Sequence, residues 1–258
     1  MIDVDGLLNR GLRSDCRVGI GLPEKATDNV RRRLARNHSG ICPVSYSSTE
    51  SLISSLKDGD IDAAVRGSLS SVKVLEFMKT AFSLDAVMRT AILEDVRGKQ
   101  FLLTPVGIDE GTDRDSRLTL AEKTYAYFSR IGWNLQIGVL SKGRLEDGDR
   151  TKEVKASLRD GEWLVGRLRR QGFRVAHHAI LLEDAVAKSD LVVAPDGITG
   201  NLIFRSMHFV GGGKAFGAPV VNIKRVFVDT SRAKSDFTDS VLLAAGLAQK
   251  MAGHRGSR

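Results

Sequence analysis

Cysteine is nearly absent: the 258 residues hold two, Cys16 and Cys42, isolated and in no Cys-x-x-Cys pair. That argues against a disulfide scaffold and against a cysteine zinc site, and both are read as buried structural thiols. Long apolar runs are also lacking. No segment approaches the ~18–20 residues of a membrane span, and MIDVDGLLNRGLRSD lacks the basic start and apolar core of a signal sequence. A cytoplasmic protein with no membrane partner is expected. A His-Glu-x-x-His motif is missing, and the adjacent His177 and His178 would face opposite sides of a strand, so no metal site is expected. Gly19-Ile20-Gly21 lacks the third glycine and the later acidic residue of a dinucleotide fingerprint, which argues against NAD. Gly211-Gly212-Gly213-Lys214 reads as a mobile turn with an exposed cation; Ala215 stands where a P-loop needs Ser or Thr, which argues against ATP. Aromatics are only 6% of the chain, and no RNP or zinc-finger pattern accompanies the net charge of +8, so nucleic acid is not an expected partner. The arginines sit in helical patterns such as Arg31-Arg32-Arg33 and Arg167-Leu168-Arg169-Arg170; a solvated face and polyanionic small ligands account for them equally.

What is present is a chain long and apolar enough, at 42% hydrophobic residues, for one large α/β domain or two small ones. Short β-branched runs alternate with helical stripes. Strands are predicted within 17–22, 41–46, 61–65, 88–93, 101–106, 135–140, 174–176, 191–194 and 220–228. Helices are predicted from Pro23, after Ser47-Ser48-Thr49-Glu50, over 72–80, 118–131, 152–171 and 201–210, and around Val241–Leu247. The loop from Gly107 to Asp115 holds four carboxylates (Asp109, Glu110, Asp113, Asp115) without calcium-loop periodicity and reads as surface.

Two loops carry candidate chemistry. Pro195-Asp196-Gly197-Ile198-Thr199-Gly200-Asn201 joins a strand to a helix, with capping residues Asp196, Thr199 and Asn201 and two glycines; free N–H groups and the helix dipole there suit phosphate or carboxylate. It reads equally as a well-capped connection. After the strand at 61–65, Arg66, Gly67 and Ser68 offer a permanent cation and compact donors for an anion, against a bland reading as cap and ion pair.

Several segments together resemble the phosphate acetyl/butyryl transferases and, more distantly, PlsX. They are Leu22-Pro23-Glu24, Val139-Leu140-Ser141, His178–Ala185, Ser189–Gly213 and Ser231-Arg232. Within that superfamily the sequence looks most like the MtxX family of methanogenic archaea, a methanogenesis marker named as a methyltransferase-associated subunit. The resemblance implies an isocitrate/isopropylmalate dehydrogenase-like (phosphotransacetylase-like) α/β fold with two lobes, an interlobe cleft and a homodimer. The lobes would be 1–133 and 134–228, with 229–258 returning to the first. It implies a transferase binding an anionic, phosphorylated or acylated small molecule; coenzyme A, which the transacetylases use, is one candidate cofactor, and the sequence leaves the cofactor open. Ser231 and Arg232 would hold the anion, Asp196, Gly197, Thr199, Gly200 and Asn201 would shape the cleft, and Arg66, Gly67 and Ser68 would close it. The family's carboxylate base falls on Thr238, which takes up no proton near neutral pH; Asp239 is the reserve base. Two alternatives stay open: a partner of methyltransferase subunits in C1 metabolism, and a non-catalytic ligand-binding or assembly protein.

Overall fold

The computed structural model describes residues 2–231 and 233–253. In chain order the elements are α1 (Val4–Leu12), β1 (Val18–Ile20), α2 (Glu24–Arg36), β2 (Val44–Ser45), α3 (Thr49–Asp58), β3 (Ala63–Val65), α4 (Ser71–Phe82), β4 (Ala91–Glu94) and β5 (Gln100–Thr104). Then follow α5 (Arg114–Ser129), β6 (Ile137–Leu140), α6 (Lys152–Arg170), β7 (Val175–Ala179), α7 (Leu182–Lys188), β8 (Leu191–Val193), α8 (Gly197–Arg205), β9 (Lys214–Pro219), β10 (Val226–Asp229) and α9 (Thr238–Gly253). The protein is mixed α/β. Its chain forms two compact units: an N-terminal unit of Asp3–Val87 plus the chain from Phe216 onward, and a central unit of Met88–Ala215 together with Ile2. These bounds differ from 1–133, 134–228 and 229–258. The reason is strand pairing: β5 pairs with β4 and β8, drawing residues 91–104 into the central unit, while β10 pairs with β3, drawing 226–229 into the N-terminal one.

In the N-terminal unit β2, β1, β3 and β10 run parallel in that order, and β9 lies antiparallel beside β10. Val18, Ile20, Ala63, Ala64 and Val65 are wholly buried, as expected of parallel strands covered on both faces. Helix α9 is apolar almost all round, and Val241, Leu243, Ala244, Ala245 and Leu247 are fully buried, so it is a core helix. Its close neighbour is α1, which the sequence reading did not anticipate. Gly11 faces the carbonyl of Leu242 and Gly246 faces that of Leu7, so a side chain at either glycine would collide with backbone. Helix α2 starts after Pro23, buries Val30 and Leu34, and turns its arginines outward.

In the central unit β8, β6 and β7 run parallel to β5, with β4 antiparallel to β5. Phe101, Leu102, Leu103, Ile137, Val139, Tyr127 and Phe128 fill its core. Two features depart from the sequence reading. Helix α8 begins at Gly197, four residues before Asn201, and passes into a π-helical turn over Ser206–Val210. The glycine run Gly211–Gly213 leads directly into β9, and Lys214 there pairs with Glu94 at 2.7 Å. Of the two cysteines, Cys16 is part-buried and Cys42 exposed, so neither is a core thiol.

Candidate functional site

The predicted site residues fall in two groups, one on each unit. In the N-terminal unit, Val65 of β3 stands beside Val228 of β10 in parallel register, so the loops leaving their carboxyl ends emerge side by side. Arg66 is buried in an ion pair with Asp229, and its Nη1 donates to the carbonyl of Leu69 at 2.8 Å. Gly67 adopts φ 62°, a left-handed conformation that favours glycine, and lies against the carbonyl of Gly21. The carbonyl of Gly67 accepts from Thr230 Oγ1 at 3.2 Å, which ties the two loops together. Arg66 and Gly67 therefore shape the loop from within, and Ser68 is left exposed with its N–H on Gly21.

Beyond β10, Ser231 closes a tight turn: its Oγ accepts from the N–H of Ala233 at 3.2 Å and its carbonyl accepts from Lys234 at 3.1 Å. Arg232, the expected anion ligand, lies outside the described residues. Lys234, which the sequence did not single out, is half-buried with Nζ 3.0 Å from Ser240 Oγ. Burial lowers its pKa, opposed by the fields of Asp239 and Asp236. Both the N–H and the hydroxyl of Thr238 donate to Asp236 Oδ1, at 3.0 and 2.7 Å, and Asp236 also pairs with Arg33. For Asp236, burial acts to raise the pKa but is outweighed by Thr238 and Arg33, so its carboxyl is held below the usual range. Thr238 and Asp236 are thus engaged in starting α9, whereas Asp239, in its first turn, is exposed to solvent.

In the central unit Asp196 is the N-cap of α8. Its Oδ1 accepts from the N–H of Thr199 at 2.7 Å and its Oδ2 meets Lys142 Nζ at 3.0 Å. Burial would raise the Asp196 pKa, but the cap bond and Lys142 hold it low. The N–H of Gly197 donates to the carbonyl of Glu110 at 3.1 Å, and Asn201 Nδ2 to that of Val106 at 2.9 Å. A Cβ at Gly197 or Gly200 would strike the carbonyls of Gly107 and Pro105, so both glycines serve close packing of α8 against the loop after β5. That loop is itself anchored inside the protein: Glu110, read from the sequence as surface, is buried on Arg89 at 2.6 Å, and burial raises its pKa against the pull of that arginine. At the positive end of α8 the N–H groups of Gly197 and Thr199 are thus taken by the protein's own carbonyl and carboxylate.

Three groups here escaped the sequence reading. Lys142 follows Leu140-Ser141, so the matched strand end pointed to its position. Ser141 Oγ lies 2.8 Å from His177 Nε2 and donates to the Ser157 carbonyl at 3.1 Å, a contact between distant segments. Arg117 is buried with Nε and Nη1 unpartnered among the described residues, its Nη2 3.4 Å from Asp160; nothing in an amphipathic helix marks one arginine as inward-facing.

Comparison with known proteins places this geometry. No family model matches the chain. A Methanosarcina mazei protein described as "Putative methyltransferase mtx subunit X" is 42% identical over 187 residues, covering 72% of this chain and 67% of that protein. The chain belongs to the mtx subunit X family. An uncharacterized methyltransferase of Methanopyrus kandleri is 40% identical over 203 residues, covering 76% of this chain and 79% of its own length. Among solved structures, a branched-chain phosphotransacylase from Enterococcus faecalis V583 covers 92% of this chain and 99% of its own, with TM-score 0.70 at 18% identity. A phosphotransacetylase from Streptococcus pyogenes gives TM-score 0.67 at 12% identity, covering 96% and 98%. A 4-hydroxythreonine-4-phosphate dehydrogenase from Klebsiella pneumoniae gives 0.57 at 11%, covering 94% and 85%. At these identities the likeness is one of fold. Among the described residues no helix is long and apolar enough to cross a membrane.

Proposed function

We propose that this mtx subunit X protein is a transferase of isocitrate/isopropylmalate dehydrogenase-like fold that binds an anionic, phosphorylated or acylated small molecule at the loops after β3 and β10. The observation that carries this reading is the joining of Arg66–Ser68 to the Thr230–Asp239 segment at the ends of two parallel strands. Ser231 and Arg232 bind the anion and Asp239 is the base, since Asp236 is held by Thr238 and Arg33. Coenzyme A is the acyl carrier in this proposal. The protein works in the cytoplasm as a homodimer, and the archaeal relatives support a link to methanogenesis.

The family name supports a second reading, in which the chain serves C1 metabolism beside methyltransferase subunits. The engagement of Thr238 with Asp236 supports a third, an anion-binding or assembly protein without its own base. Thermal unfolding with acetyl phosphate, coenzyme A, acetyl-CoA and S-adenosylmethionine separates them, because a ligand of the native state raises apparent stability. Transfer predicts a shift with acetyl phosphate or coenzyme A that is lost in Arg232→Ala. A shift with S-adenosylmethionine alone, or none at all, would overturn it.

A further inference from the structure

Helix α2 turns the arginine run noted in the sequence into one wall of a cavity. Arg31 is diverted: it pairs with Glu24 and Asp28 and donates to the carbonyl of Pro43. Arg32, Arg33 and Arg36, at positions i, i+1 and i+4, line a cavity of about 350 Å³ together with Asn29, Ser235 and Asp236. That volume is within the range of small-molecule sites, roughly 300–1,000 Å³. Arg32 is oriented by Asn29 Oδ1 at 2.9 Å, and Arg33 is fixed by Asp236. Neither Arg32 nor Arg36 makes an ion pair among the described residues. Three guanidiniums against one carboxylate leave the lining with an excess of two positive charges. The carboxyl end of α2 contributes only about half a negative charge, so the excess persists. Guanidinium forks match phosphate oxygens in pairs, and Leu22, Ala26, Val30 and Phe237 in the same lining suit the organic part of a phosphate ester.

We propose that this cavity is a phosphate-ester site, taking a dianionic phosphate or diphosphate group on Arg32 and Arg36 with Arg33 as its fixed wall. It requires no transfer step and so goes beyond the reading above. The test is calorimetric titration of the full chain with inorganic pyrophosphate at fixed ionic strength. Arg32→Ala/Arg36→Ala should weaken binding about tenfold or more, the scale of losing charge-assisted hydrogen bonds. Arg32→Lys/Arg36→Lys should fall between it and the parent, since charge is kept and the fork lost. Arg159→Ala/Arg170→Ala, exposed arginines of the central unit, should bind like the parent. Absence of binding in the parent, equal affinity in the Arg32/Arg36 variant, or an equal loss in the Arg159/Arg170 control would each overturn the site. A loss in Arg232→Ala equal to that in the Arg32/Arg36 variant, with Arg32→Ala/Arg36→Ala matching the parent in its acetyl phosphate shift, would place pyrophosphate at the site of the transfer reading and overturn this one.

Discussion

Substituting Gly200 by alanine asks whether the glycines of the Asp196–Asn201 segment serve packing or ligand approach. In an exposed helix interior alanine would be favoured over glycine by about 1 kcal/mol. At Gly200 the added methyl would meet the carbonyl of Pro105, a backbone atom that cannot rotate away. The surrounding loop is held by the Asn201–Val106 bond and the Arg89–Glu110 pair, which limits relaxation. Overpacking of this kind costs about 1–3 kcal/mol, and backbone displacement puts Gly200 at the upper end, so after the propensity gain a net loss of about 1–2 kcal/mol is expected. For a chain of this length that lowers Tm by roughly 2–8 °C. Gly166→Ala in α6 is the matched control: the nearest heavy atom to its added methyl is Arg170 Nη1 at 3.9 Å, so stability should hold or rise by up to about 1 kcal/mol. Circular-dichroism melts of the three proteins without ligand decide the matter. If Gly200→Ala melts at or above the parent, the packing argument is wrong and a ligand role for that glycine regains its ground.

Two further outcomes depend on pH. The depressed pKa of Asp196 means that its contribution is present above the unfolded aspartate value, about 3.9, and is lost as pH falls through the lower folded value. Asp196→Ala should therefore cost about 1 kcal/mol in urea unfolding at pH 7, with the gap narrowing only below about pH 4; a gap unchanged at pH 3 would refute this. His177, whose pKa is lowered by burial, should titrate in NMR below 6.5, and stability should fall as pH drops from 6.5 through that lower value because the unfolded chain binds the proton first. A His177 titration at or above 6.5 would show that the Ser141 contact does not exclude water.

Much of the fold was readable because local chemistry and tertiary packing agree. Ser48 caps α3, Pro23 precedes α2, and Lys152–Arg170 forms the long helix its apolar stripe announces. The start of α8 was misplaced because Ile198, exposed at 60%, adds nothing to an apolar stripe, while the true signal was Asp196 three residues before Thr199. β9 was missed because glycine punctuation conceals a strand whose partner, β10, supplies the pairing. At the site, the sequence named Arg66, Gly67 and Ser68 correctly as one loop but left open whether the guanidinium faces a ligand; a partner 163 residues away, Asp229, takes it. Lys234 and Arg117 owe their character to burial, which composition does not encode.

The division of the chain has a consequence for its birth on the ribosome. Apart from Ile2, the central unit is one continuous stretch, Met88–Ala215, complete once residue 215 has emerged, whereas the N-terminal unit must wait for β10 and α9. Until then the faces of β3 and α1 that receive them, including the backbone bared at Gly11, have no cover. A nascent chain halted before Thr238 would therefore carry one finished unit and one with its core open, and that open half is what a chaperone or protease would find first.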